Sequence, residues 1–336
     1  MQEKSSWGFH EGDEIVAGRH ATRLLGGGRR YEAYLAWDDE LYALVVVKIV
    51  RPALVESASV RRGIESEARV LGALNHPTIV RMFDAVLEGE RPHLVLEHLD
   101  GPRLSTLLRR YRIILEQLLP LALELCSALH YMHRRHVLHL DVKPRNVVMS
   151  SRPRLIDLSV AIAVDSVASV TRPIGTDAYM APEQCDPERF AEIGPPSDIW
   201  GLGVTLYEAL TRERPFPAGR RSDGAGAGRF PQLVSDPFRL PRDFPRPLAD
   251  AVLSCLEKRP EDRPTALELA ESFEPWVASL PAPRLGLFRP GGKTYRSDYA
   301  SRDESILSAA SSRSHPRGLL LASMRENRHS QGGGTR

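Results

Sequence analysis

Four polar residues between positions 141 and 157 could together bind a charged phosphate compound and move a proton. Asp141, Lys143 and Asn146 are two and three residues apart, and Asp157 follows Asn146 by eleven residues. Short apolar runs flank the first three. Because buried polar groups cost free energy unless they find partners, this segment is expected to bind something. Carboxylate and amide oxygens suit a divalent cation, a carboxylate can accept a proton, and an ammonium group suits phosphate.

A second candidate group begins in the aliphatic run 42–50, which contains a single charged residue, Lys48. A lysine among aliphatic side chains must be paired or functional, unless it lies on an edge strand and extends its ammonium group into water. Residues 60–74 follow with the period of an amphipathic helix, and Glu67 lies beside the apolar stripe. Glu67 is therefore a candidate partner, with Glu65 as the alternative and a solvated charge as the other interpretation.

Three consecutive glycines, Gly26, Gly27 and Gly28, separate two strand-like runs. Backbone amides of glycine can approach an anion closely because no Cβ intervenes, so this turn is a candidate cover for phosphates. An ordinary hairpin turn would have the same composition, and the pattern alone does not distinguish the two.

The elements that must position these residues fall into two regions. Short strand-like runs between residues 15 and 50, joined by turn residues, predict an antiparallel meander, and further strands are predicted at 79–83 and 93–97. Helical periodicity dominates afterwards, at 104–112, 115–133, 197–208, 248–256 and 266–273.

Three longer motifs have the spacing of one known family. Residues 139–146 follow the pattern H-x-D-x-K-P-x-N, residues 175–183 read G-T-D-A-Y-M-A-P-E, and residues 259–264 read R-P-E-D-R-P. With Lys48 and Asp157, these motifs resemble those of eukaryotic-like protein kinases, and most of all the soluble serine/threonine kinases of actinobacteria.

The resemblance covers about residues 15–278 and implies a fold and a domain organisation. The expected fold is the α+β, bilobal protein-kinase fold. A small antiparallel β lobe with helix C, about 15–98, precedes a larger, mainly helical lobe, about 99–278. We expect residues 1–14 to be flexible and residues 279–336 to form a basic, disordered tail rich in Ser, Arg and Gly.

The resemblance also implies a reaction, the transfer of the γ-phosphoryl group of ATP to a serine or threonine hydroxyl of a protein. Asp141 would accept the hydroxyl proton, and Lys143 would hold the γ-phosphate. Lys48, oriented by Glu67, would hold the α- and β-phosphates. Two of only five lysines in a chain with forty arginines thus fall where a kinase needs an ammonium group.

Further residues receive roles from the same resemblance. Asn146 and Asp157 would ligate Mg²⁺, with Mn²⁺ as an alternative. Asp198 would cap the backbone of the catalytic loop, which is the segment 139–146, and Arg263 would pair with Glu183. The expected partners are ATP and an unidentified protein substrate, with autophosphorylation in trans, but neither nucleic acid nor a membrane.

The nucleotide would lie between the two lobes. The backbone of residues 97–101 would read the adenine edge, and Leu96 would stand at the back of the pocket. The side chains and backbone expected to surround ATP belong to Gly26, Gly27, Gly28, Ala33, Val46, Lys48, Leu96, Glu97, Leu99 and Val148.

Several positions depart from the family pattern. Leu140 replaces the usual arginine, and Leu158 and Ser159 replace the phenylalanine and glycine of D-F-G. The family's glycine motif, G-x-G-x-x-G-x-V, maps onto Gly26, Gly28, Tyr31 and Ala33, so Tyr31 replaces its third glycine and Ala33 its valine. Loss of a glycine at 159 is expected to stiffen the metal-binding turn.

The resemblance places the activation segment at residues 160–174, which contain Ser166, Ser169 and Thr171. Without an arginine at 140, a phosphate on this segment lacks its usual partner, so we expect activity without strict dependence on phosphorylation of these three residues.

Two other functions remain alternatives to an active protein kinase. One is a pseudokinase that binds ATP as a signalling scaffold, and the other is a phosphotransferase that acts on small molecules. His130, His133, His136 and His139 recur every third residue and raise the question of a metal site. Core and surface histidines explain them better, because carboxylate and cysteine ligands are not close in sequence.

Composition limits where and how the chain acts. Its 336 residues carry a net charge of +2, and no apolar run is long enough to cross a membrane. Three isolated cysteines favour a reducing compartment, and the first residues contain no secretory signal, so we expect a cytoplasmic protein. A near-neutral body with a basic tail is not the charge pattern of a nucleic-acid-binding protein.

Overall fold

The first region of the chain forms one antiparallel sheet of six strands. The computed structural model describes residues 6–187, 192–224, 226–242 and 244–280. The strands follow the order β1-β2-β3-β4-β6-β5, so the predicted antiparallel meander is confirmed. Their bounds are β1 Glu14–Val16, β2 Arg19–Gly27, β3 Tyr31–Asp38, β4 Ala43–Val50, β5 Met82–Val86 and β6 His93–Glu97. Helix α1, Ala58–Ala73, connects β4 to β5.

Successive side chains of each strand point to opposite sides of this sheet, so its two faces differ in composition. One face buries a cluster that includes Tyr34, Val45 and Val47, and Trp7 and Phe9 pack against it from outside. The side chains between them in sequence point to the opposite face. Strand register on that second face pairs Ala33 with Lys48, Leu35 with Val46, and Val46 with Leu96.

The segment before β1 is packed against the sheet, and the expectation of a flexible segment at 1–14 is wrong from residue 6 onward. Trp7 donates from Nε1 to the carbonyl of Val50 at 2.8 Å and stacks on Phe9. The guanidinium of Arg91 lies over both rings. Two aromatic side chains anchor a segment whose composition is otherwise polar, and burial of their surface outweighs that composition.

The second region is mainly helical and surrounds a buried helix. The helices are α2 Leu104–Leu108, α3 Leu115–Arg134, α4 Pro182–Cys185, α5 Pro195–Thr211, α6 Arg246–Ser254 and α7 Ala266–Ala278. Trp200, Leu202 and Leu206 of α5 are each fully buried. Two short antiparallel sheets of two strands each pair β7 (Val137–Leu138) with β10 (Ile162–Ala163), and β8 (Val147–Met149) with β9 (Pro153–Leu155). This two-lobed α+β arrangement is the fold that the resemblance implies.

Several predicted bounds are wrong by a few residues. The strand expected at 79–83 begins at Met82, because Ile79 instead forms an isolated bridge with Leu155. Helix α2 ends at Leu108, since the residues expected to continue it to 112 are mostly exposed and add little buried surface. Beyond its first two residues, the tail predicted at 279–336 lies outside the described residues.

Candidate active site

Strand β4 and helix α1 bring Lys48 and Glu67 together. Lys48 Nζ lies 2.7 and 2.8 Å from the two carboxylate oxygens of Glu67 and 3.1 Å from Oδ1 of Asp157. Burial favours the neutral amine, but the two carboxylates outweigh it and raise the pKa of Lys48 above its ordinary value. Lys48 is therefore an ammonium group, and Glu67, not the alternative Glu65, is its partner.

Asp157 begins the turn at the edge of the second lobe. Its φ of 65° is left-handed, which is uncommon for a residue other than glycine. Burial would raise the pKa of this carboxyl, but Lys48 and a hydrogen bond from Ser159 hold it below its usual range. The left-handed residue of the turn is Asp157, while Ser159 has no positive φ. The expected loss of conformational freedom at 159 therefore has little consequence, and Ser159 supports the carboxylate.

The catalytic loop brings Asp141, Lys143 and Thr176 into mutual contact. Lys143 Nζ donates to Asp141 Oδ2 at 2.5 Å and to Thr176 Oγ1 at 2.6 Å. Thr176 Oγ1 donates to Asp141 Oδ1 at 2.7 Å, and Asn146 Nδ2 donates to the Asp141 carbonyl at 3.0 Å. Neighbouring side chains thus orient both carboxylate oxygens of Asp141.

Helix α5 supports this loop through a buried carboxylate. Asp198 accepts the backbone N–H groups of His139 at 2.9 Å and Leu140 at 2.7 Å, and His133 Nε2 lies 3.0 Å from the same carboxylate. Burial raises the pKa of Asp198, yet these partners lower it by more, so the carboxyl stays ionised. Leu140 has a φ of 60°, which this double contact stabilises. The expected cap on the loop backbone is present.

The segment from 175 to 184 closes over the loop. The predicted pair is present, since Arg263 donates from Nη1 and Nη2 to Glu183 at 2.7 and 3.0 Å. Gln184 Nε2 donates to the carbonyl of Leu140 at 2.9 Å. Gly175 has a φ of 114°, and a Cβ there would lie 2.6 Å from the same carbonyl oxygen. Only glycine therefore allows the segment to approach the loop this closely.

Comparison with known proteins agrees with this geometry. Residues 19–277 match the family model described as protein kinase domain. The chain belongs to the protein kinase family. The chain is 32% identical over 260 residues to serine/threonine-protein kinase PknB of Mycobacterium leprae, an alignment that covers 73% of this chain and 41% of the relative. It is 34% identical over 278 residues to serine/threonine-protein kinase PkaA of Streptomyces coelicolor, covering 77% and 48%.

The chain spans less than half the length of the curated relatives it matches. A third relative, PknB of Mycobacterium tuberculosis strain H37Rv, is 33% identical over 261 residues, which are 73% of this chain and 41% of that protein. Within the described residues, no helix is long and apolar enough to cross a membrane.

The glycine turn at 26–28 has two positions that require glycine. Gly26 has a φ of 139°, and a Cβ on Gly27 would lie 2.7 Å from the carbonyl oxygen of Tyr31. The N–H of Gly28 donates to that same carbonyl at 3.1 Å and closes the hairpin. Hairpin geometry therefore explains two of the three glycines, and a contact with phosphates stays a prediction.

The residues expected around the adenine lie near the boundary of the two lobes. Val46 and Leu96 are neighbours across β4 and β6, Ala33 lies beside Lys48, and Val148 is buried in β8. Glu97 is already engaged, because its N–H donates to the Arg81 carbonyl at 2.9 Å and its carboxylate binds Arg154.

Leu99 follows β6 and differs from Glu97 in its backbone contacts. Within the described part of the chain, no group hydrogen-bonds to the backbone N–H or C=O of Leu99. Leu99 rather than Glu97 therefore has a backbone N–H available to an adenine.

The sequence alone predicts neither the contacts of Thr176 nor those of Gln184. Thr176, within the 175–183 motif, accepts a hydrogen bond from Lys143 and donates one to Asp141. Gln184 lies one residue beyond that motif, and a buried amide next to a buried glutamate is the signal that could have identified it.

Proposed function

We propose that this chain is a serine/threonine protein kinase that transfers the γ-phosphoryl group of ATP to a hydroxyl of a protein. The observation that carries the proposal is the contact among Asp141, Lys143 and Thr176, close to the pair of Lys48 with Glu67. Phosphoryl transfer asks the protein mainly to position groups and stabilise charge. A carboxylate held at both oxygens beside the ammonium group of Lys143, together with a second ammonium group held by Glu67 and Asp157, meets these requirements.

Asp141 acts on the attacking hydroxyl group, and Lys143 acts on the phosphoryl group that is transferred. The substrate hydroxyl oxygen forms a bond to the γ-phosphorus, the bond from that phosphorus to the bridging oxygen of ADP breaks, and the hydroxyl proton passes to Asp141. Lys143 stabilises the negative charge on the transferred group. Thr176 holds both side chains in place, since it accepts a hydrogen bond from Lys143 and donates one to Asp141.

Lys48 binds the α- and β-phosphates, because Glu67 and Asp157 keep its ammonium group charged and directed toward the cleft. The N–H groups of the glycine turn are proposed to cover the phosphates from the other side. Ala33, Val46, Leu96 and Val148 are proposed to contact the adenine, while the backbone of Leu99 reads its edge. The backbone N–H of Glu97 is excluded from that role by its bond to Arg81.

Asn146 and Asp157 fit the requirements of a magnesium site shared with a nucleotide. The side-chain nitrogen of Asn146 is bound to Asp141, which leaves its amide oxygen as the ligand, and Asp157 is held ionised by Lys48. Within the described residues, no group of three His, Cys, Asp or Glu side chains could hold a metal alone. Mg²⁺, or Mn²⁺ in its place, commonly takes one or two protein ligands and completes its shell with phosphates and water. The bound cation would neutralise phosphate charge.

The proposal is tested with purified protein, Mg²⁺, labelled ATP and a mixture of proteins as acceptor, followed by identification of the labelled amino acids. We expect label on serine and threonine of the acceptor and, through transfer in trans, on the kinase itself. Label on tyrosine alone or on a metabolite alone would contradict the proposed substrate class. Binding of ATP without any transfer would favour a scaffold.

A further inference from the structure

Tyr31 occupies the place of the third glycine of the kinase glycine motif, and it contacts three parts of the small lobe. Its carbonyl accepts the N–H of Gly28 at 3.1 Å and so closes the glycine turn. The centroid of its ring lies 5.0 Å from Lys48 Nζ, within the range of a cation–π contact. Its hydroxyl donates to the carbonyl of Val60 in the first turn of α1 at 3.4 Å.

Helix α1 has a glycine at the place where the Tyr31 hydroxyl meets it. A Cβ added to Gly63 would lie 2.9 Å from the Tyr31 oxygen, and no other heavy atom outside the local backbone lies within 4 Å of it. Gly63 has no positive φ, so its backbone does not require glycine. Because glycine in a helix interior is less favourable than alanine, α1 gives up local stability at the one position that accommodates this hydroxyl.

The ring also adjoins the charged pair that α1 must complete. Tyr31 is half-buried and packs against the main apolar core of the protein. Burial raises the pKa of its hydroxyl, so the side chain is neutral and adds no negative charge beside Glu67. The ring therefore covers one side of the Lys48 ammonium group without competing with Glu67 for it.

We propose that Tyr31 is a positioning residue that holds α1 and Lys48 in fixed relation to the glycine turn, so that the Lys48–Glu67 contact forms before a nucleotide binds. A glycine at position 31 would leave α1 without this support and free to move away from β4. The inference rests on the proposed function for its consequence in catalysis, but its structural part concerns only Tyr31, Gly63 and α1.

Hydrogen exchange of the full chain, measured by mass spectrometry without nucleotide, tests the structural part. We expect Tyr31→Ala to accelerate exchange in residues 58–73 by about tenfold, and Tyr31→Phe, which keeps the ring over Lys48, by no more than about threefold. Exchange in α3 and α5 should not change. Tyr111→Ala, which removes a tyrosine side chain far from these contacts, is the control. Unchanged exchange in α1, or an equal increase throughout the chain, would overturn the proposal.

Gly63→Ala gives a second test that does not require Tyr31→Ala to fold. In the wild-type background the added methyl group meets the Tyr31 hydroxyl, so we expect a lower melting temperature and faster exchange in α1. In the Tyr31→Phe background the clash is removed, and the better helix propensity of alanine should raise the melting temperature. If Gly63→Ala changed the melting temperature equally in both backgrounds, the contact between position 63 and the Tyr31 hydroxyl would be contradicted.

Kinetics separate positioning from general stability. If Tyr31 positions Lys48, Tyr31→Ala should raise the KM for ATP and lower kcat, so that kcat/KM falls by about tenfold or more, while Tyr31→Phe keeps most of the activity. Unchanged kcat/KM in a folded Tyr31→Ala variant would overturn the inference. If the wild type transfers no phosphate, the proposed function fails, and the exchange and melting experiments still decide the role of Tyr31.

Discussion

Gln184 joins the catalytic loop to the activation segment, because its Nε2 donates to the carbonyl oxygens of Leu140 and Ile174, each at 2.9 Å. The side chain of Leu140 is also buried, in a cluster with Leu138 and Ile193. Partly buried residues of the activation segment pack on that cluster, namely Val164, Val167, Val170 and Ile174. Apolar contacts and one amide thus hold the segment at the place where the family pattern has an arginine.

This packing predicts activity without phosphorylation of the activation segment. We expect a variant with Ser166→Ala, Ser169→Ala and Thr171→Ala to keep a kcat within about threefold of the wild type, because Leu140 offers no positive charge to a phosphate. The measurement is phosphoryl transfer by protein first treated with a phosphatase, with the untreated wild type as control. A triple variant that folds but is inactive would show that the segment needs a phosphate.

Gln184→Leu should weaken the connection between the catalytic loop and the activation segment. The substitution keeps the volume but leaves two carbonyl groups without a donor, at a cost of about 1–3 kcal/mol for each fully buried group. We expect a lower melting temperature and a lower kcat, with little change in the KM for ATP. Gln117→Leu on α3, whose side chain makes none of these contacts, is the matched control. Equal effects of the two substitutions would mean that the amide of Gln184 has no special role.

Lys48 and Glu67 should be coupled in stability as well as in activity. The Glu67 side chain is 1% exposed, so Lys48→Met leaves a buried carboxylate that has lost its main partner, at a cost of about 3–5 kcal/mol. Adding Glu67→Gln removes that charge and should recover part of the free energy of unfolding, while both variants remain inactive. Denaturant unfolding of the wild type, two single variants and the double variant measures the coupling. Strictly additive effects would contradict a direct pair.

The buried ring of His139 predicts a dependence of stability on pH. Its Nδ1 accepts the N–H of Asp141 at 3.2 Å, and burial lowers its pKa below the ordinary value of about 6.5. The unfolded chain therefore takes up a proton first, so the free energy of unfolding should fall as the pH drops from about 6.5 toward the lowered pKa. Above about pH 6.5, His139 is neutral in both states and does not change the free energy of unfolding with pH.

Comparison with His139→Phe isolates this effect from other histidines whose pKa is also lowered, His76, His93 and His98. The variant cannot titrate at this position, so it should lose less stability than the wild type between pH 7.5 and pH 5. Urea unfolding at several pH values measures the difference. Parallel curves for the two proteins would show that His139 binds a proton equally in both states.

Much of the site was predictable because it consists of charged residues inside apolar runs. Lys48 in an aliphatic strand requires a partner, and the following helix offers Glu67, with Glu65 as the alternative. The contact between Lys48 and Glu67 is present. The family resemblance implies the pair of Glu183 with Arg263 and the cap by Asp198, and both contacts exist. The catalytic and ligand-binding roles of these residues stay predictions.

The other contacts of the fold and the site join segments that are distant in sequence. The hydrophobic periodicity of the sequence does not reveal such contacts. Trp7 lies in a polar segment, and only the three-dimensional position of the sheet shows where its ring is buried. Tyr31 was noticed as a departure from a motif, but its contact with α1 requires the register of β3 and the position of Gly63. Gln184 is likewise defined by two carbonyl groups, 44 and 10 residues away.

The central claim is that Asp141 directs phosphoryl transfer from ATP to a protein hydroxyl. The most direct measurement compares the wild type with Asp141→Asn in a single-turnover assay with Mg²⁺ and ATP labelled at the γ-position, alongside a measurement of ATP affinity. We predict transfer by the wild type, a rate lower by about 10²–10⁴-fold in the variant, and similar ATP affinity in both. Equal rates, or ATP binding by the wild type without any transfer, would contradict this account.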